Sequence, residues 1–291
     1  MAYSFFRKIE TLFFTLIGLF YCTSAICQSQ SIDVLTYNIR FANPDDAPNT
    51  WANRKDDVFN LIREVKPDIF GLQEALYEQV IDFEVAFIGF NRVGVGRDDG
   101  NQLGEYSPIF YNHSKFVLIN SGTFWLSQTP KVAGSRGWDA ACNRVVTWIN
   151  LTEKVSGYTF TVFCTHFDHI GEIARRNSAK LLLHAVDSIA GIKPAIILGD
   201  FNASPTSEPY LILTNIANPG KLIDARTTCE NIKGPFYTYT GFKVGGLEPE
   251  RIDYIFVKNT DKVVLYNVNQ TNNGAFYPSD HLPVNARLII K

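Results

Sequence analysis

Hydrophobic and polar positions fall into two rhythms along this chain. From Ser31 to Arg40 (SIDVLTYNIR), β-branched and aromatic residues predict a strand. A polar stretch with Pro44 and Pro48 follows. Val58, Leu61, Ile62 and Val65 then fall at i, i+3, i+4 and i+7, which predicts a helix over Trp51–Lys66, stopped by Pro67. Asp68–Glu74 (DIFGLQE) reads as a short buried strand ending on a carboxylate, and Glu78–Phe87 as a short helix. Strands are predicted at Pro108–Tyr111, Phe116–Phe124, Arg144–Asn150 and Thr159–His166. The helix predicted over Glu172–Ala190 carries Leu182, Ala185, Val186 and Ile189 on one stripe. Ala195–Gly199 (AIILG) is wholly apolar, as in a strand covered on both faces. A short helix at Ser207–Thr214 precedes closing strands at Ile252–Val257, Val263–Val268 and Val284–Ile290. Too many strands follow one another without a helix for a doubly wound sheet. The pattern predicts an α/β fold with a two-sheet β-sandwich flanked by helices. No repeat, linker or charge block interrupts it, so a single domain is expected over 28–291, its first strand starting near Ser31.

The first 27 residues belong to a different class. Arg7 and Lys8 precede an apolar run from Leu12 to Cys22 that is too short to span a bilayer comfortably, and Thr23-Ser24-Ala25 are small. This reads as a secretory signal peptide cleaved after Ala25 or Cys27, which implies a periplasmic or secreted protein without a membrane anchor after cleavage. A lipoprotein signal fits less well, because Ile26 stands where a small residue is wanted. Cleavage before Gln28 removes Arg7, Lys8 and Glu10 and takes the formal net charge from −2 to −3. That balance argues against a protein that grips nucleic acid by bulk charge, and no stable nucleic-acid complex is expected. With 46% apolar and 19% charged residues, a disordered chain is excluded, and 22 Phe and 13 Tyr supply a large core. The remaining cysteines, Cys142, Cys164 and Cys229, are odd in number, so at most one disulfide forms within the chain and the core must hold the fold.

Polar residues able to bind metal or move protons recur just past the ends of hydrophobic strands. Asn38 follows VLTY, Glu74 follows DIFGLQ, His166 follows FTVFCT, and Asp200 and Asn202 follow AIILG; Asp253 opens DYIFV, and Asp280 and His281 precede the last strand. A rigid scaffold can gather such side chains at one sheet rim. Glu74, a carboxylate ending a buried strand, is a metal ligand or half of a salt bridge. Asn38 offers a neutral carbonyl oxygen to a hard cation such as Mg²⁺. Strand alternation would place Asp200 and Asn202 on one face, to align or deprotonate a water and to hold phosphate or transition-state charge. His281 is suited to proton transfer, and Asp253 could fix its tautomer. A competing reading comes from Cys164-Thr165-His166-Phe167-Asp168-His169, where Cys164, His166, Asp168 and His169 could ligate zinc in a zinc hydrolase.

In order along the chain, TYNIR (36–40), PDIFGLQE (67–74), THFDH (165–169), ILGDFN (197–202), RIDYIFV (251–257) and SDHLPV (279–284) resemble the successive motifs of the endonuclease/exonuclease/phosphatase superfamily, the DNase-I-like fold. The stretches GEYSPIFYN (104–112), SGTFWLS (121–127) and GWDAACNRVVTW (137–148) are similar to a secreted bacterial branch. The resemblance implies a four-layer α/β sandwich and hydrolysis of a phosphodiester or phosphomonoester with Mg²⁺ or Mn²⁺. It implies that Asn38 and Glu74 bind or position the metal, with Asp280 near the metal or a bridging water. His166 would contact the scissile phosphate, Asp200 and Asn202 would align water and stabilise the transition state, and His281, oriented by Asp253, would act on phosphate or as acid or base. Whether Asp200 or His281 is the base stays open.

The implied partner is a phosphoester substrate: a nucleotide, a sugar phosphate or a nucleic-acid end. The protein is expected to be a monomer. Arg97, Arg136, Arg144, Arg175 and Arg176 are candidates to line an anionic pocket, and Trp125, Trp138 and Phe167 to stack a base or sugar. A module on the same fold that binds phosphorylated ligands without cleaving them is the non-enzyme alternative.

Overall fold

The computed structural model describes residues 30–245 and 250–290; the expected signal peptide, 1–27, lies outside them. Along the chain run β1 (Gln30–Asn38), α1 (Trp51–Val65), β2 (Ile69–Gln73), α2 (Tyr77–Ala86), β3 (Phe90–Val93), β4 (Ile109–Asn112), β5 (Phe116–Trp125) and β6 (Val145–Glu153). They are followed by β7 (Thr159–His166), α3 (Glu172–Ala190), β8 (Ala195–Asp200), α4 (Glu208–Thr214), β9 (Ile223–Asp224), α5 (Ala225–Thr228), β10 (Ile232–Lys233), β11 (Asp253–Lys258), β12 (Lys262–Val268) and β13 (Val284–Ile290). The strands form a seven-stranded sheet, β10-β12-β13-β1-β2-β4-β3, and a six-stranded sheet, β5-β6-β7-β8-β11-β9.

Side-chain alternation sorts the apolar residues into three cores, and so the fold into four layers. In β1, Ile32 and Val34 face the space between the sheets, while Leu35 and Tyr37 face outward under α1 and α2. In β8, Ile196 and Leu198 face inward, and Ile197 packs outward with Leu182 and Val186 of α3. The wholly apolar sequence of β8 follows from this, because both of its faces are covered. Phe70 of β2 and Phe110 of β4 stack on one another and pack against Phe83 of α2. Burying each such ring contributes about 1.5–3 kcal/mol.

Strand direction and register then deliver the polar residues to one rim. β1 and β2 run parallel with Asn38 beside Gln73, so Glu74 emerges next to Asn38. β7 and β8 run parallel with His166 beside Asp200, and antiparallel β11 starts with Asp253 opposite Asp200. β13 pairs Val284 with Thr36, which brings the preceding Ser279–Pro283 segment to the same end.

Candidate active site

At that rim a cavity of about 410 Å³ opens between the sheets. Glu74, His166, Asp200, Asn202, Asp280 and His281 line it. Asn38 and Asp253 stand behind them, fully buried. All eight residues singled out from the sequence therefore meet in one place.

Their hydrogen bonds assign distinct tasks. The Asn38 amide nitrogen donates to Glu74 Oε1 at 2.9 Å and to Asp200 Oδ2 at 3.0 Å. Its carbonyl oxygen accepts the Arg40 backbone N–H at 3.0 Å. Asn38 thus braces two carboxylates with its amide nitrogen. Asn202 departs from the strand geometry expected for it. β8 ends at Asp200, and Asn202 has φ 46°, so a left-handed turn and not strand alternation aims its side chain. The turn is fastened by Asn202 N–H donating to Asp200 Oδ1 at 2.9 Å and by its amide donating to Phe167 O at 3.0 Å. Arg40 (φ 56°) and Glu74 (φ 63°) are also left-handed, and such strain in non-glycine residues concentrates at functional sites.

The two histidines have opposite surroundings. Asn202 Nδ2 lies 3.0 Å from His166 Nε2, and since an amide nitrogen only donates, Nε2 is the acceptor. Burial, with Arg144 and Arg97 nearby, holds His166 well below the usual histidine pKa. His281 Nδ1 lies 2.8 Å from Asp253 Oδ2, and its Nε2 lies 3.8 Å from Asp200 Oδ2. Burial disfavours its charge, but Asp253 and Asp200 outweigh burial and raise it well above the usual value. Burial, reinforced by Asp253, pushes Asp200 up to about 7. Burial also raises Asp280.

The zinc reading does not survive this geometry. Cys164 Sγ lies in the inter-sheet core, 3.2 Å from Gln73 Nε2 and 3.4 Å from Leu72 O, and burial pushes its thiol up to about 12. Its sulfur therefore faces the inter-sheet core and not the cavity where His166 and His169 lie. Both Asp168 oxygens are filled by backbone N–H groups, from Ala141 and Cys142 on one and from Ile170 and Gly171 on the other. Phe167 is fully buried in the core, edge-on to Phe201, and is not on the cavity wall. Trp125 is buried, its indole N–H donating to Arg97 O at 2.6 Å, and neither it nor Trp138 lines the cavity.

Of the arginine candidates, Arg97 and Arg144 line the cavity. Arg136, Arg175 and Arg176 bond instead to Ala141 O, Asp168 O and Glu208. Sequence reasoning missed Arg40, Glu105 and Tyr239 on the cavity wall. Arg40 holds Asp46 with two hydrogen bonds and lies 3.9 Å from Glu74. Glu105 accepts from Arg97 Nη1 at 2.5 Å and lies 3.9 Å from both Arg144 Nη1 and His166 Nδ1. Tyr239 packs edge-on to His281, ring centroids 5.1 Å apart. All three sit in loops, outside the strand-end rule; only the carboxylate of GEYSPIFYN just ahead of β4 offered a signal.

A family model described as the Endonuclease/Exonuclease/phosphatase family matches residues 35–281, the span that holds every cavity residue named above. The chain belongs to that family. Proteins of this superfamily are hydrolases acting on phosphoesters and generally use divalent metal ions, and the chain is a phosphoesterase of that superfamily. The crystal structure of an endonuclease/exonuclease/phosphatase from Bacteroides vulgatus is similar at 38% identity and a TM-score of 0.86, covering 90% of this chain and 100% of that one. A mannosyl-6-phosphatase from Bacteroides thetaiotaomicron is similar at 35% identity and a TM-score of 0.83, covering 89% of this chain and all of that one. Human Nocturnin is 26% identical over 257 residues, covering 80% of this chain but only 57% of its own length.

Proposed function

We propose that this chain is a periplasmic or secreted phosphoesterase that needs Mg²⁺ or Mn²⁺ and acts, as a monomer, on a small sugar phosphate. One observation carries the reading: the carboxylates of Glu74, Asp200 and Asp280 converge with His166, Asn202 and His281 on a single cavity. The oxygen-only carboxylate set suits a hard divalent cation, and the burial that raises Asp200 and Asp280 is a cost that a bound cation would offset. Glu74 and Asp280 would hold the ion, with Asn38 bracing Glu74. When bound, the ion supplies Lewis-acid stabilisation of the charge that develops on phosphoryl oxygen.

The chain's own residues do the rest. Asp200, poised near neutrality, orients the attacking water and takes its proton. His281, kept protonated between Asp253 and Asp200, donates from Nε2 to a phosphoryl or leaving-group oxygen. Neutral His166 fixes the Asn202 amide beside the phosphate position. A cavity of about 410 Å³ suits a small ligand, and the similarity to a mannosyl-6-phosphatase supports a hexose phosphate. The apolar run behind Arg7 and Lys8 supports export.

The test is a panel of sugar phosphates, nucleotides and an aryl phosphodiester, assayed with EDTA and with Mg²⁺ or Mn²⁺ restored. Turnover of a sugar phosphate that EDTA removes and metal restores is expected. Binding without turnover across the panel would instead favour the non-catalytic module, and undiminished turnover in EDTA would refute metal dependence.

A further inference from the structure

Asp253 and His281 are hydrogen-bonded at 2.8 Å, yet they come from different sheets. Asp253 opens β11 in the six-stranded sheet, and His281 leads into β13 in the seven-stranded sheet. No strand ladder sets their separation. Thr238 is tied to both sides of the gap. Thr238 is completely buried, and its Oγ1 accepts the backbone N–H groups of Ile252 and Asp253, each at 3.1 Å. Its own N–H donates to Glu250 O at 2.8 Å, and its carbonyl accepts Leu282 N–H at 2.6 Å. Thr238 is therefore tied by its side chain to the strand that carries Asp253 and by its backbone to the residue after His281. Its neighbours extend the tie. Tyr239 bridges to both Glu250 and His281, and Thr240 donates its N–H and its hydroxyl to Asp280 O at 2.7 and 3.0 Å.

We propose that Thr238 is a positioning residue that sets the Asp253–His281 hydrogen bond from across the sandwich. The hydroxyl is the essential part. Only an acceptor at Oγ1 satisfies two adjacent buried N–H groups at the start of β11, and a residue without one obliges that turn to move away in search of other partners. A shift of that kind lengthens the Asp253–His281 bond while leaving in place the opposite wall, formed by Arg97, Glu105 and Arg144.

The inference rests on the reading of His281 and Asp253 above for its kinetic effect, so two measurements are paired. Thr238→Val, matched in shape, is expected to lower kcat by about 10- to 100-fold with KM within about threefold of wild type. Thr238→Ser, which keeps the acceptor, is expected to restore kcat to within about threefold. Thr238→Ala serves as the second acceptor-free variant should the valine not fold. The second measurement needs no turnover. The hydrogen-bonded His281 Nδ1 proton gives a downfield ¹H NMR resonance, identified by its loss in His281→Ala. It should weaken or shift in the valine and alanine variants and persist in the serine variant. An unchanged resonance in the acceptor-free variants would overturn the proposal, as would a kcat loss that serine fails to rescue. If wild type turned over no phosphoester, the proposed function would fail while the resonance still decided the role of Thr238.

Discussion

His166 and His281 face the same cavity, yet their partners set opposite charge states. His166 sits among arginines and accepts from an amide; His281 sits between two carboxylates. The division predicts unequal consequences of mutation. His281→Ala is expected to lower kcat by about 10²–10⁴-fold with the fold intact, measured alongside circular dichroism. Asp253→Asn should also lower kcat strongly but leave the Mg²⁺ concentration for half activity in place, because the amide holds the ring in the wrong tautomer and does not touch the ion. Asp168 has a structural task beside the same cavity. Burial works against its charge, but four backbone N–H groups outweigh burial and hold its pKa down to about 2. A depressed carboxylate stabilises the fold above its unfolded pKa, and that contribution is lost as pH falls from about 4 to about 2. Asp168→Asn should therefore cost about 2 kcal/mol in urea unfolding at pH 7. The gap to wild type should shrink toward zero as the pH approaches 2; a constant gap would contradict the linkage. At this scale the strand-end residues that meet at one rim were legible as a group, because a polar residue closing an apolar strand is conspicuous. Arg40, Glu105 and Tyr239 were not picked out, since loop residues are polar by default and tertiary packing is what turns them inward.

The strands and helices place those residues by ending where they do. Trp51–Val65 and Glu172–Ala190 followed their apolar stripes almost to the residue. The expected first strand ran to Arg40 and the second to Glu74, but each stops earlier, because Arg40 and Glu74 adopt left-handed backbone that a ladder cannot continue. β9 and β10, each two residues long, and α5, of four, carry too few positions to show a period. β3 lacks the apolar face that marks its neighbours. Helix α1 also does site work. Arg54 is buried, and its guanidinium donates to the carbonyls of Ile39 at 2.5 Å, Arg40 at 2.6 Å and Pro278 at 3.2 Å, binding the loops that carry Arg40 and Asp280 to one another. Between the sheets, Gly71 lets β2 approach β7: a Cβ there would stand 2.7 Å from Cys164 Sγ. Gly71→Ala is expected to cost about 1–3 kcal/mol by overpacking. Most of that cost should be returned by adding Cys164→Ala, as a double-mutant cycle of denaturant midpoints would show. Additive costs would place the strain elsewhere.

At the scale of the whole molecule, two sheets enclose one apolar core and two helical layers cover their outer faces. The cavity residues come from both sheets and meet where the sandwich opens. The order of strands and helices was enough to predict two sheets flanked by helices, and the ordered motifs the family resemblance that implies four layers. Substrate choice was not legible, because the cavity walls are assembled from loops far apart in sequence. The central claim is that this rim separates ion-holding residues from proton-holding ones. Its most direct test is kcat and half-saturating Mg²⁺ for wild type, Glu74→Gln and His281→Ala on the sugar phosphate found by the panel. Glu74→Gln should raise the Mg²⁺ needed for half activity by about tenfold or more and recover much of its rate at saturation. His281→Ala should keep the wild-type Mg²⁺ curve at a rate about 10²–10⁴-fold lower. Identical Mg²⁺ curves for all three proteins, or a curve displaced by His281→Ala alone, would contradict the account.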